Sequence, residues 1–195
     1  MTTLEILKSI NKNFFEENNS LEIEVIIQNG FVSKDTIESR WLGYPGATEE
    51  EIRKKEQILN ASLPPSYKEF LIASNGFKLI SPFLDNLLPI EKVNWANQTE
   101  GEFWTRYKDY NSNVSDEQYF DYSDNQDPVL CRDEYLYHSL KISEWCQGLC
   151  VFLNPLVIHN NEWEVLEYAT WYPGTMRYQS FKDYLLNLRK ISWKD

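Results

Sequence analysis

The run Asp121-Tyr-Ser-Asp-Asn-Gln-Asp127 carries three carboxylates in seven residues and invites a calcium reading. An EF-hand loop needs glycine at its sixth position and glutamate at its twelfth. Counted from Asp121, those places hold Gln126 and Arg132, so the run reads as an acidic loop. Cys146 and Cys150, with His138 and His159, raise the question of zinc. Zinc ligand pairs usually leave tight turns, whereas Cys150 falls inside an apolar run and reads as a small buried hydrophobe. A catalytic nucleophile needs a base and an orienting group, and neither of the two histidines has such a context. No G-x-S-x-G, P-loop or G-x-G-x-x-G is present. The sequence therefore predicts no enzyme, no cofactor and no structural metal. The enzyme class it leaves least excluded is a carboxylate-based hydrolase.

What remains is surface chemistry. Residues 97–135 hold ten acidic side chains against three basic ones, a net of −7 within a chain of net −11. They also hold eight aromatics, and aliphatics are nearly absent before Val129-Leu130. Aromatics mixed with carboxylates suit an interface better than a core. The candidate partner-binding residues are Glu102, Trp104, Asp116, Glu117, Tyr119, Asp121, Tyr122, Asp124 and Asp127. Trp104, Tyr119 and Tyr122 are the candidate anchors of affinity, while the carboxylates supply rate and orientation. The competing expectation is a solvated acidic loop with some aromatics returning to the core.

The whole chain narrows the partner. Thirty acidic against nineteen basic residues repel phosphate backbones, which excludes direct nucleic-acid binding, and attract a basic protein. The opening MTTLEILKSINKNFF lacks an apolar signal core, and no apolar run approaches the roughly 20 residues that span a bilayer. Three cysteines are too few and odd for a disulfide scaffold. The expected compartment is the reducing cytoplasm, with no membrane partner.

The elements that must position this surface follow from spacing. Leu4, Leu7, Ile10, Phe14 and Phe15 predict an amphipathic helix over 3–17, and alternating Leu21, Ile23, Val25 and Ile27 predict a strand. Thr48 with Glu51 forms a capping box for a helix to Asn60. Leu63-Pro64-Pro65 breaks it, a second helix spans Ser66–Ser74, and Asn75-Gly76 stops that one, with Gly76 expected as a left-handed cap. Strands are expected at Leu87–Val93, Gly148–Leu153 (closed by an Asn154-Pro155 turn) and Glu162–Ala169, the last with one polar side. Ser180 and Asp183 cap a final helix to Lys190. The order predicts an α+β fold with helices on a mainly antiparallel sheet.

The stretch from Ala47-Thr48-Glu49-Glu50-Glu51-Ile52 through Leu63-Pro64-Pro65-Ser66-Tyr67-Lys68-Glu69-Phe70-Leu71 to Ser74-Asn75-Gly76-Phe77 resembles the signature of the SUKH superfamily, the Smi/Knr cell-wall-assembly regulator family. Gly148–Leu153, Trp163-Glu164-Val165 and Tyr178-Gln179-Ser180-Phe181 are similar to its later elements. The resemblance implies a single SUKH-like domain over 1–195, with an N-terminal extension (1–40) and an acidic aromatic insertion (97–135). It also implies a cytoplasmic immunity protein that binds a cognate toxin, nucleases being among the toxins such proteins meet, and occludes its active site. The alternative it implies is a regulatory or scaffolding module for endogenous partners. It supplies no catalytic residues.

Overall fold

A computed structural model describes residues 1–99, 101–109, 112–171 and 174–194, apart from the side chain of Glu102. Helix α1 (Thr3–Glu17) starts in a capping box between Thr2 and Glu5 and buries Ile6, Leu7, Ile10 and Phe14. The 21–27 stretch is helix α2 (Ser20–Gln28), not a strand. Its deciding residue is Asn19, whose side chain accepts from the backbone of Leu21 and Glu22 while Glu22 reaches back. That reciprocal cap fixes the helical first turn, and alternation of aliphatics over seven residues does not override it. The short α3 (Lys34–Glu38) follows, capped by Ser33.

Helices α4 (Glu49–Leu59) and α5 (Pro65–Ala73) stand as the capping box and proline break predict. Pro64 at the N-cap of α5 has no side-chain acceptor to offer. Glu162, ninety-six residues away, takes that role, accepting from Ser66 N–H at 2.9 Å and Ser66 Oγ at 2.6 Å. Tyr67 and Phe70 then meet Phe181 at ring separations of 5.0 and 5.1 Å. The cap at the other end of α5 is Ser74 in extended conformation, so Gly76 is not the helix cap. Gly76 does adopt positive φ, at 95°, in the turn beyond. A Cβ there would sit 2.9 Å from the Leu87 carbonyl oxygen, and this close approach adds a second reason for glycine.

Strands β1 (Phe77–Ser81) and β2 (Leu84–Leu87) form an antiparallel pair. The strand expected at Leu87–Val93 is absent, because β2 ends at Leu87 and Pro89 opens a turn closed by Lys92 N–H. The main sheet runs β3 (Asn94–Trp95), β4 (Leu140–Lys141), β5 (Leu149–His159), β6 (Glu162–Ala169) and β7 (Thr175–Tyr178) in spatial order, every neighbour antiparallel. Between β3 and β4 lie α6 (Ala96–Thr99), α7 (Gly101–Lys108), α8 (Asp116–Tyr119) and a 3₁₀ stretch at Asp133–His138. Asn154-Pro155 does not end β5. The strand absorbs Pro155 in an irregularity between Asn154 and Ile158 and then continues. The turn comes at Asn160-Asn161, both at positive φ as a two-residue hairpin loop demands. Ser180 caps the last helix, α9 (Phe181–Leu188).

The sheet separates two apolar layers. Leu149, Val151, Leu153, Val165 and Ala169 belong to the core shared with α1, α5 and α9. Alternate residues on the same strands, Cys150, Phe152, Leu166 and Tyr168, belong to a second cluster with Ala96, Trp104 and Leu136. Helices and an antiparallel sheet make this an α+β fold whose sheet is covered on both faces.

Candidate partner-binding surface

The side of β6 expected to face water is covered by the acidic segment. Trp104 is fully buried; its ring meets Phe152 edge-on at 5.2 Å and Tyr168 at 5.7 Å, and stacks on Trp145 at 5.9 Å. Helix α7 positions it by turning one face inward over strands β5 and β6. An indole with no exposed surface cannot meet a partner, and Trp104 is removed from the candidate anchors.

Tyr119 is also fully buried and leaves that set for the same reason. Ser115 caps α8, whose single turn delivers the ring to the sheet. Its hydroxyl donates to Glu164 Oε2 at 2.7 Å, and two guanidinium groups lie over its ring, Arg132 at 4.7 Å and Arg177 at 5.1 Å. Tyr122 is half-buried, and its hydroxyl donates to Glu164 Oε1 at 2.8 Å. Because that uses its only proton, the 2.8 Å contact to His159 makes Nε2 of the histidine the donor. Asn154 Nδ2 adds a third bond to the Glu164 carboxylate at 2.8 Å. Burial raises the Glu164 pKa, and these donors, with the Arg177 charge, pull it back.

Beneath this network Arg177 is buried, with Nε donating to the Tyr119 carbonyl at 3.0 Å and Nη1 to that of Thr175 at 3.0 Å. Gln126 completes the open side of β7. Its side-chain amide exchanges two bonds with the Arg177 backbone, at 2.9 and 2.8 Å, and the Pro128 carbonyl accepts from Thr175 N–H at 3.0 Å. The segment thus roofs the sheet and seals its edge, where bare strand groups would otherwise invite pairing.

The carboxylates lie outside. Glu117, Asp121, Asp124 and Asp127 are exposed, and Asp116, also exposed, pairs with Arg132 at 2.5 Å. Asp121 accepts from Ser123 N–H at 2.9 Å, which holds its pKa below the usual range, and Asp127 accepts from Val129 N–H at 3.0 Å. Helix α7 carries Glu102, whose side chain lies outside the described residues. Beside the carboxylates, Phe120 and Val129 expose apolar surface that the sequence reading missed. The signal was faint: each sits one or two residues from a side chain that turns inward, Tyr119 or Cys131.

Among the described residues no group of three or more His, Cys, Asp or Glu is placed to hold a metal ion, and no helix is long and apolar enough to cross a membrane. Cys131, Cys146 and Cys150 are buried, and no disulfide joins them. The family model for SMI1 / KNR4 (SUKH-1) matches residues 46–187, from the turn before α4 into α9. The chain belongs to the SMI1 / KNR4 family (SUKH-1). The SUKH-1 match takes in both sheets and the whole acidic segment, and it leaves α1, α2 and α3 outside. No curated protein matches the chain.

Proposed function

We propose that this SUKH-1 chain is a cytoplasmic immunity protein that binds a basic protein toxin and covers its active site. The surface that does so is the acidic one of Glu117, Asp121, Asp124 and Asp127, with Asp116 at its margin and Tyr122, Phe120 and Val129 as its apolar part. One observation carries the reading. The exposed carboxylates stand on α8 and the loop after it, fastened from beneath by the Tyr119 and Tyr122 bonds to Glu164 and the Gln126 bonds to β7. A charged surface fixed before encounter loses little conformational freedom on binding, which favours affinity as well as speed.

The carboxylates share the sign of a polyanion, so a nuclease cleft lined with Lys and Arg is a suitable target. Occlusion asks for no chemistry from the immunity protein, only for a surface that stays in place. Membership of SUKH-1 supports a role in protein interaction. The test is co-expression with a toxin encoded beside the chain. Cells survive with the wild type, and they die with a variant whose four carboxylates are neutralised. Equal survival places the interface elsewhere.

A further inference from the structure

The edge strand β7 is sealed over only part of its length. Thr175 N–H donates to the Pro128 carbonyl at 3.0 Å, and the Gln126 side-chain amide takes up both the N–H and the C=O of Arg177, at 2.8 and 2.9 Å. That amide stands where a neighbouring strand would place a peptide group. Outward groups alternate along a strand, so the next position is Gln179, one residue past the end of β7. Gln179 is exposed, and among the described residues nothing accepts from its N–H or donates to its C=O.

Gln179 lines a cleft of about 580 Å³. One wall is the turn at 123–126, closed by the Gln126 N–H on the Ser123 carbonyl at 3.1 Å, and it carries Asp124. The other wall is α9. Asp183, Leu186, Asn187 and Lys190 recur at helical spacing and share one face. Lys190, just past the helix, keeps that register through its N–H bond to the Asn187 carbonyl at 2.9 Å. Asn187 Nδ2 donates to the Tyr178 hydroxyl at 3.1 Å and ties this wall to β7.

The α9 wall is acidic at one end and basic at the other. Asp183 is held at the first turn by its bonds with Ser180, the residue after Gln179, while Lys190 and Arg189 close the far end. At 1.5 Å per residue, Asp183 and Lys190 stand about 10 Å apart along the wall. Three residues of extended chain cover that distance.

We infer that this cleft takes an extended segment of a protein partner, which pairs with the Gln179 N–H and C=O as an added strand. An open donor and acceptor at a strand edge ask for the acceptor and donor of another extended backbone. A helical segment cannot serve, because its backbone groups are used within the helix. Asp183 then meets a basic side chain of the segment, and Lys190 an acidic one about three residues along. The cleft shares Tyr122 and Asp124 with the proposed acidic surface, but the inference does not need the partner to be a toxin.

The probe is the capped tetrapeptide Arg-Thr-Val-Glu, titrated into the full chain while the backbone amide resonances are followed. The expected result is a saturable shift of the Gln179 amide. Methylating the Thr and Val nitrogens of the peptide removes its donors, keeps its charges, and lowers affinity at least about fivefold. Gln in place of both Arg and Glu lowers it at least about threefold. Lys190→Gln weakens the parent peptide at least about twofold and leaves the Gln-substituted one unchanged, which assigns the loss to the charge pair. No toxin enters this titration, so its failure and the failure of the toxin reading are separate results. The inference is overturned if the Gln179 amide does not move, if the methylated peptide binds like the parent, or if Lys190→Gln treats both peptides alike. A shift that follows the chain's own concentration without peptide also overturns it, since a second copy then fills the cleft.

Discussion

The Tyr119 hydroxyl donates to Glu164 Oε2 at 2.7 Å, so a residue of the acidic segment answers a carboxylate buried in the sheet. Neither is suited to its place alone. A buried carboxylate needs donors, and a buried phenol needs an acceptor. Tyr119→Phe keeps the ring and removes the donor, leaving Oε2 with Asn154 alone. The expected loss of stability is about 1–3 kcal/mol by urea denaturation, the cost of a buried polar group losing a partner. An unchanged midpoint shows that the bond contributes nothing.

Trp104 gives a sharper contrast. As a core residue, its truncation to Ala destabilises the chain by about 3–5 kcal/mol, whether or not a partner is present. A surface anchor behaves in the opposite way, with stability preserved and dissociation accelerated. Thermal melts of the free variant decide between the two, and a wild-type melting temperature contradicts the buried position.

The sequence showed what neighbouring residues decide among themselves. Thr48 with Glu51 and Ser180 with Asp183 are caps within one turn, and both helices start where these residues place them. Four aliphatics at alternate positions look like a strand, and the Asn19 cap makes the same residues helix α2. The acidic segment was half legible. Glu117, Asp121, Asp124 and Asp127 are on the surface, as their type suggests, while Asp133 and Glu134 are half-buried, and the partners that draw Trp104 and Tyr119 inward are Phe152, Tyr168 and Glu164, more than forty residues on. No local window contains that information. Distance in sequence also hides the Glu162 cap on α5, and the polar side expected of β6 is covered at Glu164 from α8 and the loop after it.

Glu167 sets a pH dependence. It points from β6 toward Tyr184 of α9, and burial pushes its pKa up to about 7, the Tyr184 bond partly opposing. An unfolded glutamate ionises near 4.5. Between these values the folded chain holds a proton that the unfolded chain has released, so stability falls as pH rises from about 4.5 to about 7. Burial gives Glu164 a shift of the same sign. Glu5, Glu51 and Asp121 act the other way, their pKa values lowered by bonds from Thr2, Thr48 and Ser123, and their contribution is lost as pH falls through those values. Urea midpoints should therefore peak in mild acid. Glu167→Gln is expected to flatten the fall between pH 5 and 7, and an unchanged slope assigns it to another group.

Gly76 combines a φ of 95° with backbone atoms of Leu87, Leu88 and Pro89 at 2.9–3.1 Å from a would-be Cβ. Gly76→Val is expected to cost about 2 kcal/mol or more, since a β-branched residue resists that conformation and also meets those atoms. Denaturation of the purified variant measures it, and a loss below about 0.5 kcal/mol, the size of an ordinary surface change, removes both arguments.

A fixed acidic surface that carries partner binding shows itself in the rate of association. The variant is Glu117→Gln, Asp121→Asn, Asp124→Asn and Asp127→Asn together. Asparagine retains the side-chain oxygens that accept from Ser123 and Val129, so the loops keep their turns while losing their charge. Rates are measured against an inactive form of the toxin encoded beside the chain, at several salt concentrations. Wild-type association is expected to slow steeply with salt, and the variant to associate at least about tenfold more slowly at low salt with a flat dependence, because screened long-range attraction is what the carboxylates supply. A variant that associates as fast as wild type, with the same salt dependence, contradicts it.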